Sequence, residues 1–290
     1  MTHASSHPAH GGADHHLSPH EPDADGQAEI LDLDAEVLGA HTASITEWLP
    51  LKEKPRHIVD LGCGTGAGTF ALLSRFPDAR VTAVDTSASH LHRLRARAEA
   101  LGVADRVRTV QADLDAAWPD LGRPELVWAS ASMHHMADPD RTLGKVHDLL
   151  ASGGLFAVVE LADFPRFLPA DAPEERPGLE ERCHAALAHD AAAHVPHRGA
   201  DWGPKLAAAE FTVEGERTIT VNVDGSRDES VGRYALSSLK RLRGSAAHAL
   251  ASEDLGALDR LLDTESPFSL LRRSDVAVRT ERTVWAARRA

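Results

Sequence analysis

Cysteine is scarce in this chain of 290 residues, which has two cysteines, Cys63 and Cys183. Two thiols cannot make a disulfide framework, so a small domain that depends on disulfides is excluded. A chain of this length can bury enough surface to fold around an apolar core without cross-links. The scarcity of cysteine also favours a reducing compartment, and we expect a cytoplasmic protein.

Long apolar runs are also missing. The longest nearly apolar stretch, residues 155–162, contains Glu160. It is far shorter than the ~20 apolar residues that a membrane-spanning helix needs. The amino terminus has neither a basic start nor an apolar segment, so it does not resemble a secretory signal. We therefore expect no membrane partner.

Positive charge is the third feature in short supply. Thirty-one lysines and arginines stand against 44 aspartates and glutamates, which gives a formal net charge of −13 with neutral histidines. Such a chain repels a polyphosphate unless a local basic patch reverses the balance, and Arg273, Arg288 and Arg289 are too scattered to form one. Nucleic acid is therefore not expected as a partner. We expect a small molecule as the partner instead. The sequence leaves open whether two copies of the chain form a homodimer.

Residues 1–27 form a segment that has no apolar period and is rich in histidine, proline, glycine, serine and aspartate. Such a segment cannot offset the entropy of ordering, so we predict a disordered tail. Imidazoles can bind soft divalent metals, but we assign no metal site to the tail. Further along, His184, His189 and His194 are spaced by five residues, which turns them to different sides of a helix, and we predict no metal site there either.

From residue 28 onward, short apolar runs alternate with amphipathic segments. This rhythm is typical of βαβ units. It predicts an α/β fold with a doubly wound, mostly parallel, seven-stranded Rossmann-like sheet and helical lid insertions. The predicted strands are 57–61, 80–85, 106–111, 125–130, 155–161, 211–223 and 276–286.

We divide the domain 28–290 into four parts according to this pattern. They are amino-terminal helices at 28–54, a core at 55–162, a lid insertion at 163–210, and final strands at 211–290 that enclose a helical insertion at 226–274. The two insertions are expected to lie over one edge of the sheet, above a ligand crevice.

The first predicted strand ends in a glycine-rich loop, with Asp60 followed by Gly62, Gly64 and Gly66. Glycine permits positive φ and lets a ligand lie against the backbone, and the next helix offers free N–H groups. Asp85 ends the second strand, where an acid in such folds binds ribose hydroxyls. These groups should meet at the carboxyl ends of adjacent strands.

The third strand is followed by Asp113 and Leu114, a carboxylate beside an apolar side chain. This pair suits an adenine ring, whose exocyclic amine can donate to the carboxylate. Together the motifs resemble the class I S-adenosylmethionine-dependent methyltransferases. The matching segments cover about residues 55–162 and are 59–66, 84–85, 112–114, 133–136 before Asp138-Pro139, and 149–154.

The resemblance implies that S-adenosylmethionine is the cofactor and that residues 55–162 bind it. The glycines would line its methionine part, with Asp60 organising the loop. Asp85 would bind the ribose and Asp113 the adenine, while the backbone after the fourth strand would lie near the sulfonium. The implied cofactor-binding residues are Asp60, Gly62, Cys63, Gly64, Gly66, Asp85, Thr86, Ala112, Asp113, Leu114, Ala129 and Ser130.

A sulfonium methyl is already activated, so its transfer needs neither a metal nor a covalent enzyme intermediate, and alignment of the reactants is the main contribution. A general base helps if the acceptor must lose a proton. His134 and His135 follow the fourth strand and are candidates, although a structural role is open to both. His194, one helical turn after Asp190, is a third candidate.

The leading prediction is an enzyme that methylates oxygen or nitrogen of a small metabolite. Two alternatives stay open. One is an NAD-dependent oxidoreductase, although its usual fingerprint is Gly-x-Gly-x-x-Gly. The other is a non-catalytic S-adenosylmethionine-binding protein, because fold does not fix function. Five side chains in the insertions suit either an apolar wall for the acceptor or the ordinary core of the lid, and the sequence leaves both open: Phe164, Phe167, Trp202, Phe268 and Leu270.

Overall fold

The computed structural model of the protein describes residues 24–290, apart from the side chains of residues 24–25, 188–194 and 227. Most of the predicted disordered tail, 1–27, lies outside the described residues. Its last four residues are helical, which corrects the predicted boundary. They begin α1 (Ala24–Val37), where Ala28 is buried and Gln27 lines a cavity.

Seven strands form one sheet in the order β3-β2-β1-β4-β5-β7-β6, which confirms the predicted fold class. Neighbouring strands from β3 to β5 are parallel, whereas β7 pairs antiparallel with both β5 and β6. The strands are β1 (His57–Leu61), β2 (Arg80–Asp85), β3 (Val107–Gln111), β4 (Leu126–Ser130), β5 (Leu155–Leu161), β6 (Phe211–Asp224) and β7 (Ala277–Arg289).

Side chains alternate between the two faces of the central strands, and each face packs against helices. In β1, Ile58 belongs to one apolar cluster, while Val59 and Leu61 belong to the other. This two-sided burial is why the parallel strands have nearly continuous apolar sequences. The helices around the sheet are α2 (Gly39–Trp48), α3 (Ala67–Arg75), α4 (Ala88–Ala100), α5 (Pro139–Leu149) and α7 (Trp202–Ala208).

A further apolar cluster joins α1 to the helices of the two insertions, α6 (Leu179–His194), α8 (Glu229–Ala246) and α9 (Ser252–Leu262). Partly buried ion pairs support it, since the buried Asp254 of α9 accepts hydrogen bonds from Arg176 and Arg182. The predicted insertions therefore form one helical layer together with α1. Among the helices of residues 24–290, none combines the length and the apolar character needed to cross a bilayer.

Two details differ from the sequence prediction. The short helix α7 was not predicted, because Gly203 and Pro204 obscure it. Its start is stabilised by Asp201, whose side chain accepts from the N–H of Gly203. The last strand was predicted to end at residue 286, where the apolar pattern stops, but it continues to Arg289. The extension is stabilised by Arg288, which forms an ion pair with Glu214 of β6.

Candidate functional site

A cavity of about 610 Å³ opens at the carboxyl ends of β1 to β4. This is the edge at which open α/β sheets bind their ligands. Its floor is made by the loops that follow these strands. Its roof comes from α1, α2, α8 and β7, with the side chains Gln27, Leu31, Asp34, Thr42, Arg241 and Arg282.

The glycine loop after β1 lies against the cavity with its backbone exposed to it. Gly62 and Gly64 have φ of 66° and 53°, the left-handed region that favours glycine. A Cβ on Gly62 would lie 2.4 Å from the Cβ of Ser132. Gly66 caps α3 and faces Phe70 rather than the cavity. The absence of a side chain at Gly66 therefore serves the packing of the helix, and this predicted cofactor-binding residue does not line the cavity.

Asp85 holds this loop in place. Its Oδ2 accepts from the N–H of Gly64 and its Oδ1 from the N–H of Ser87, both at 2.8 Å. Burial alone would raise the pKa of Asp85, but the His90 imidazole and these two N–H groups outweigh it and lower the pKa. The carboxylate is therefore ionised at the cavity wall and has lone pairs left for a hydroxyl-bearing ligand.

Asp60 lies beneath the same loop and is 2% exposed. The Thr69 hydroxyl donates to its Oδ2 at 2.6 Å. Burial raises the pKa of Asp60 to about 7; the bond from Thr69 opposes this rise and the negative charge of Asp85 adds to it. The side chain therefore holds its proton in the folded protein to much higher pH than a solvated aspartate does.

We expect the Asp60→Asn variant to reveal this proton in stability measurements. Between about pH 4 and pH 7 the folded wild-type protein binds the Asp60 proton and the unfolded chain does not, so wild-type stability should fall as the pH rises. Relative to Asp60→Asn, the wild-type free energy of unfolding should decrease by about 1 kcal/mol per pH unit. Urea denaturation at several pH values measures it. A difference that is constant from pH 4 to 8 would contradict the buried proton.

The outer wall of the floor follows β3. Ala112, Asp113 and Leu114 all line the cavity, and Asp113 uses one oxygen to accept from the N–H of Asp115 at 2.9 Å. Leu114 is buried and supplies an apolar surface beside the carboxylate. The carboxylate and the apolar surface that the sequence predicts for an adenine ring are therefore adjacent.

Several buried polar atoms at the cavity have no hydrogen-bond partner among the described residues. Apart from Nδ1 of His90, which lies 3.3 Å from Oδ1 of Asp85, they are Oγ1 of Thr65, Nε1 of Trp128 and Nε of Arg282. A buried polar group without a partner costs about 1–3 kcal/mol. Three such atoms on residues that line one cavity favour a polar ligand, and the residues present fit a nucleoside carrying an amino-acid chain.

Three further predicted cofactor-binding residues also line the cavity: Cys63, Thr86 and Ser130. Burial raises the pKa of the Cys63 thiol well above its ordinary value, and the nearby carboxylates Asp60 and Asp85 add to the effect. A thiol that stays protonated is a poor nucleophile. Cys63 is therefore a small buried side chain in the loop. Ala129, which the sequence also predicts as a cofactor-binding residue, is buried in β4 and does not line the cavity.

The two adjacent histidines after β4 have different surroundings. His135 lines the cavity, and burial lowers its pKa to about 4, with the neighbouring His134 contributing, so it is neutral at pH 7. His134 is buried, does not line the cavity, and shares a short hydrogen bond through Nδ1 with Glu160. Of these two candidates, His135 is placed at the cavity and His134 is not. His194 ends α6, but its side chain lies outside the described residues.

Glu160 of β5 anchors the turn that carries these histidines. Its Oε1 accepts from the backbone N–H groups of Ser132, Met133 and His134 at 3.2, 2.8 and 3.3 Å. Its Oε2 takes the His134 ring, and the carboxylate is 2% exposed. Nothing in the local sequence around the histidines indicates this partner, which lies on the next strand.

The five side chains that suit either an acceptor wall or the core of the lid lie outside the cavity. Trp202 lies in the cluster on one face of the sheet, and Phe167 and Leu270 lie in the cluster of the helical layer. Phe164 and Phe268 are exposed, by 40% and 63%. None of the five lines the cavity. Bulky apolar side chains fill protein cores as readily as they line pockets. Three of these five lie in the two apolar clusters.

Residues 58–154 match the family model of the methyltransferase domain. Trans-aconitate 2-methyltransferase of Paracidovorax citrulli is 41% identical over 103 residues, which are 35% of this chain and 37% of that protein. Malonyl-[acyl-carrier protein] O-methyltransferase of Nitrosospira multiformis is 31% identical over 119 residues, 37% of this chain and 39% of that protein. The matches span less than half the length of these curated relatives.

A solved structure of geranyl diphosphate methyltransferase in complex with S-adenosylmethionine has the same fold. It superposes with a TM-score of 0.51 at 16% identity and covers 93% of both chains. The sheet order, the glycine loop at its carboxyl edge and the family match over 58–154 agree with one another. The chain therefore contains a methyltransferase domain of the class I S-adenosylmethionine-dependent type.

Proposed function

We propose that this protein transfers the methyl group of S-adenosylmethionine to a small-molecule acceptor. The observation that carries the proposal is the cavity at the carboxyl ends of β1 to β4, where the glycine loop, Asp85 and Asp113 converge. The small-molecule acceptor has support from one relative, which is named for trans-aconitate.

Each predicted contact has a residue that suits it. The backbone of the loop around Gly62 and Gly64 would lie along the methionine part. The hydroxyl of Thr65, which has no partner in the part of the chain that the structure describes, is available beside it. Asp85, ionised and fixed by two N–H groups, would accept from the ribose hydroxyls. Asp113 and Leu114 would hold the adenine. Bound there, the cofactor supplies a methyl group on a positively charged sulfur.

The acceptor would enter beside the turn that follows β4, next to His135 and Met136. The protein would contribute mainly by aligning the acceptor atom with the methyl group, an effect worth up to ~7–11 kcal/mol in model reactions. His135 is neutral and lines the wall, so it can accept a hydrogen bond or a proton from an acceptor that has one to lose.

We expect the Asp85→Asn variant to bind S-adenosylmethionine about tenfold or more weakly, because it loses a charge-assisted hydrogen bond worth about 1.5–3 kcal/mol. Isothermal titration calorimetry with S-adenosylmethionine and its demethylated product measures this. Asp120→Asn is a matched control, since Asp120 also accepts a backbone N–H two residues ahead but does not line the cavity. Equal affinity of both variants would remove Asp85 from the binding site.

The same titrations separate the alternatives. NAD should not bind measurably, and NAD binding without S-adenosylmethionine binding would favour the oxidoreductase. A non-catalytic protein would bind S-adenosylmethionine but transfer no methyl group to any acceptor. A transfer assay with labelled S-adenosylmethionine and metabolite fractions therefore completes the test.

A further inference from the structure

His90 lines the cavity and belongs to none of the motifs that the sequence offers. It is the third residue of α4, and its backbone N–H donates to the hydroxyl of Ser87, which caps the helix. The next residue, Leu91, is buried in an apolar cluster and fixes this end of the helix. The His90 side chain is therefore held at the carboxyl end of β2, beside Asp85.

The imidazole of His90 faces the carboxylate of Asp85. Its Nδ1 lies 3.3 Å from Oδ1, and the two side chains are 14% and 11% exposed. Two lone pairs would repel each other at this distance, so Nδ1 is the nitrogen that carries the proton, and Nε2 of the neutral ring is an acceptor. The hydrogen bonds and ion pairs of the described residues use the backbone N–H and Nδ1 of His90 and leave Nε2 free.

The carboxylate of Asp85 has too few free lone pairs to receive both hydroxyls of a ribose. A carboxylate has about four lone-pair sites. Oδ2 accepts from the N–H of Gly64, while Oδ1 accepts from the N–H of Ser87 and faces Nδ1 of His90. About one site is left, on Oδ2, whereas a ribose brings two hydroxyl donors. The second hydroxyl therefore needs another acceptor close to Asp85.

Two hydroxyl side chains of the same wall compete with His90 for this role, and both are less suited to it. Ser87 Oγ already accepts from the N–H of His90 and lies 2.9 Å from Oγ of Ser89. Thr86 is exposed, so a bond from a ribose to its hydroxyl only replaces a bond to water. The acceptor on the largely buried His90 ring gains more from a ligand, because fewer water molecules reach it.

We propose that Asp85 and His90 share the recognition of the cofactor's ribose, with one hydroxyl donating to Oδ2 of Asp85 and the other to Nε2 of His90. This inference rests on the proposed binding of S-adenosylmethionine and refines the assignment of both hydroxyls to Asp85. The contact between Nδ1 and Asp85 fixes the tautomer that makes Nε2 an acceptor. A ligand that lacks either hydroxyl leaves one of the two acceptors without a donor.

Isothermal titration calorimetry on the full chain tests this with three ligands, which are S-adenosylhomocysteine and its 2′-deoxy and 3′-deoxy derivatives. Each derivative should bind the wild-type protein about three- to tenfold more weakly than the parent compound, since each loses one hydrogen bond. His90→Phe keeps an aromatic ring but removes the acceptor. In this variant one derivative should bind as well as the parent compound, because the hydroxyl that it lacks has no partner left, and the other should stay weaker.

Three further variants make the result specific. His90→Gln has an amide oxygen that can replace Nε2, so it should regain part of the lost discrimination. His92→Phe removes an imidazole from an exposed position of the same helix that does not line the cavity, and all three ligands should bind it as they bind the wild type. Thr86→Val removes the competing hydroxyl and should keep the discrimination against both derivatives.

The outcomes separate this inference from the proposed function. Equal binding of the parent compound and either derivative to the wild type would overturn the shared recognition without any variant. If both derivatives stay weaker in His90→Phe by the wild-type factors, His90 receives neither hydroxyl and acts only on Asp85. Loss of discrimination in Thr86→Val would assign the second hydroxyl to Thr86. In these three cases the proposed function stands, whereas failure of the wild type to bind S-adenosylmethionine and S-adenosylhomocysteine would overturn both.

Discussion

Replacing Gly62 by alanine is expected to abolish measurable S-adenosylmethionine binding and to destabilise the protein strongly. The new Cβ would lie 2.4 Å from the Cβ of Ser132, well inside van der Waals contact. Ser132 cannot retreat, because its hydroxyl donates to the Leu61 carbonyl at 2.8 Å and its N–H to Glu160. Either the glycine loop or the Ser132 turn must shift, and both line the cavity.

Two costs add up in this variant. Left-handed backbone at an alanine costs roughly 1–2 kcal/mol, and the overlap costs about 1–3 kcal/mol more. Gly102→Ala isolates the first cost, since Gly102 has nearly the same φ, 67° against 66°, and no atom within 4 Å of the added Cβ. Urea denaturation and calorimetry on both variants measure the effects. If Gly62→Ala and Gly102→Ala bind S-adenosylmethionine with the same affinity, the close approach of Gly62 to Ser132 does not determine the conformation of the loop.

The central part of the fold could be predicted because its signals are local. Each strand from β1 to β5 is a short apolar run, and the predicted strand limits agree with the structure within a residue. The glycine loop, Asp85 and Asp113 each follow a strand directly, so the parallel topology brings them to one edge without further information.

The roof could not be predicted, because its residues meet only through long-range packing. Asp34 and Arg282 are 248 residues apart in sequence, and neither belongs to a recognisable motif. The helix α1 that carries Asp34 begins inside the segment predicted to be a disordered tail. The aromatic side chains that suit either an acceptor wall or a core were identified by residue type alone. Type does not distinguish a cavity wall from the interior of a helical layer.

The two adjacent histidines show the same limit on a smaller scale. Sequence gives His134 and His135 equal standing, yet one is buried against Glu160 and the other lines the cavity. The difference comes from a carboxylate on the next strand that faces inward among apolar side chains. A glutamate within an otherwise apolar strand is the signal that could have indicated it, since a buried carboxylate requires partners.

Replacing Glu160 by alanine is expected to cost about 3–5 kcal/mol of stability, the usual effect of removing one partner from a buried polar pair. Three backbone N–H groups and the His134 ring would lose their acceptor at once in a site that water does not reach. The turn at Met133–His135 would lose its anchor, so affinity for S-adenosylmethionine should fall as well. Urea denaturation and calorimetry measure the two effects.

Glu125→Ala is the matched comparison. Glu125 also accepts two backbone N–H groups, those of Arg56 and His57, but it is exposed, so water can replace it and the cost should be about 1 kcal/mol. Glu160→Gln keeps an acceptor for the turn and should recover cofactor affinity more than stability, because the amide cannot match the carboxylate beside His134. Equal stability losses in the Glu160 and Glu125 alanine variants would show that burial adds nothing, and the turn would then be held by its own backbone.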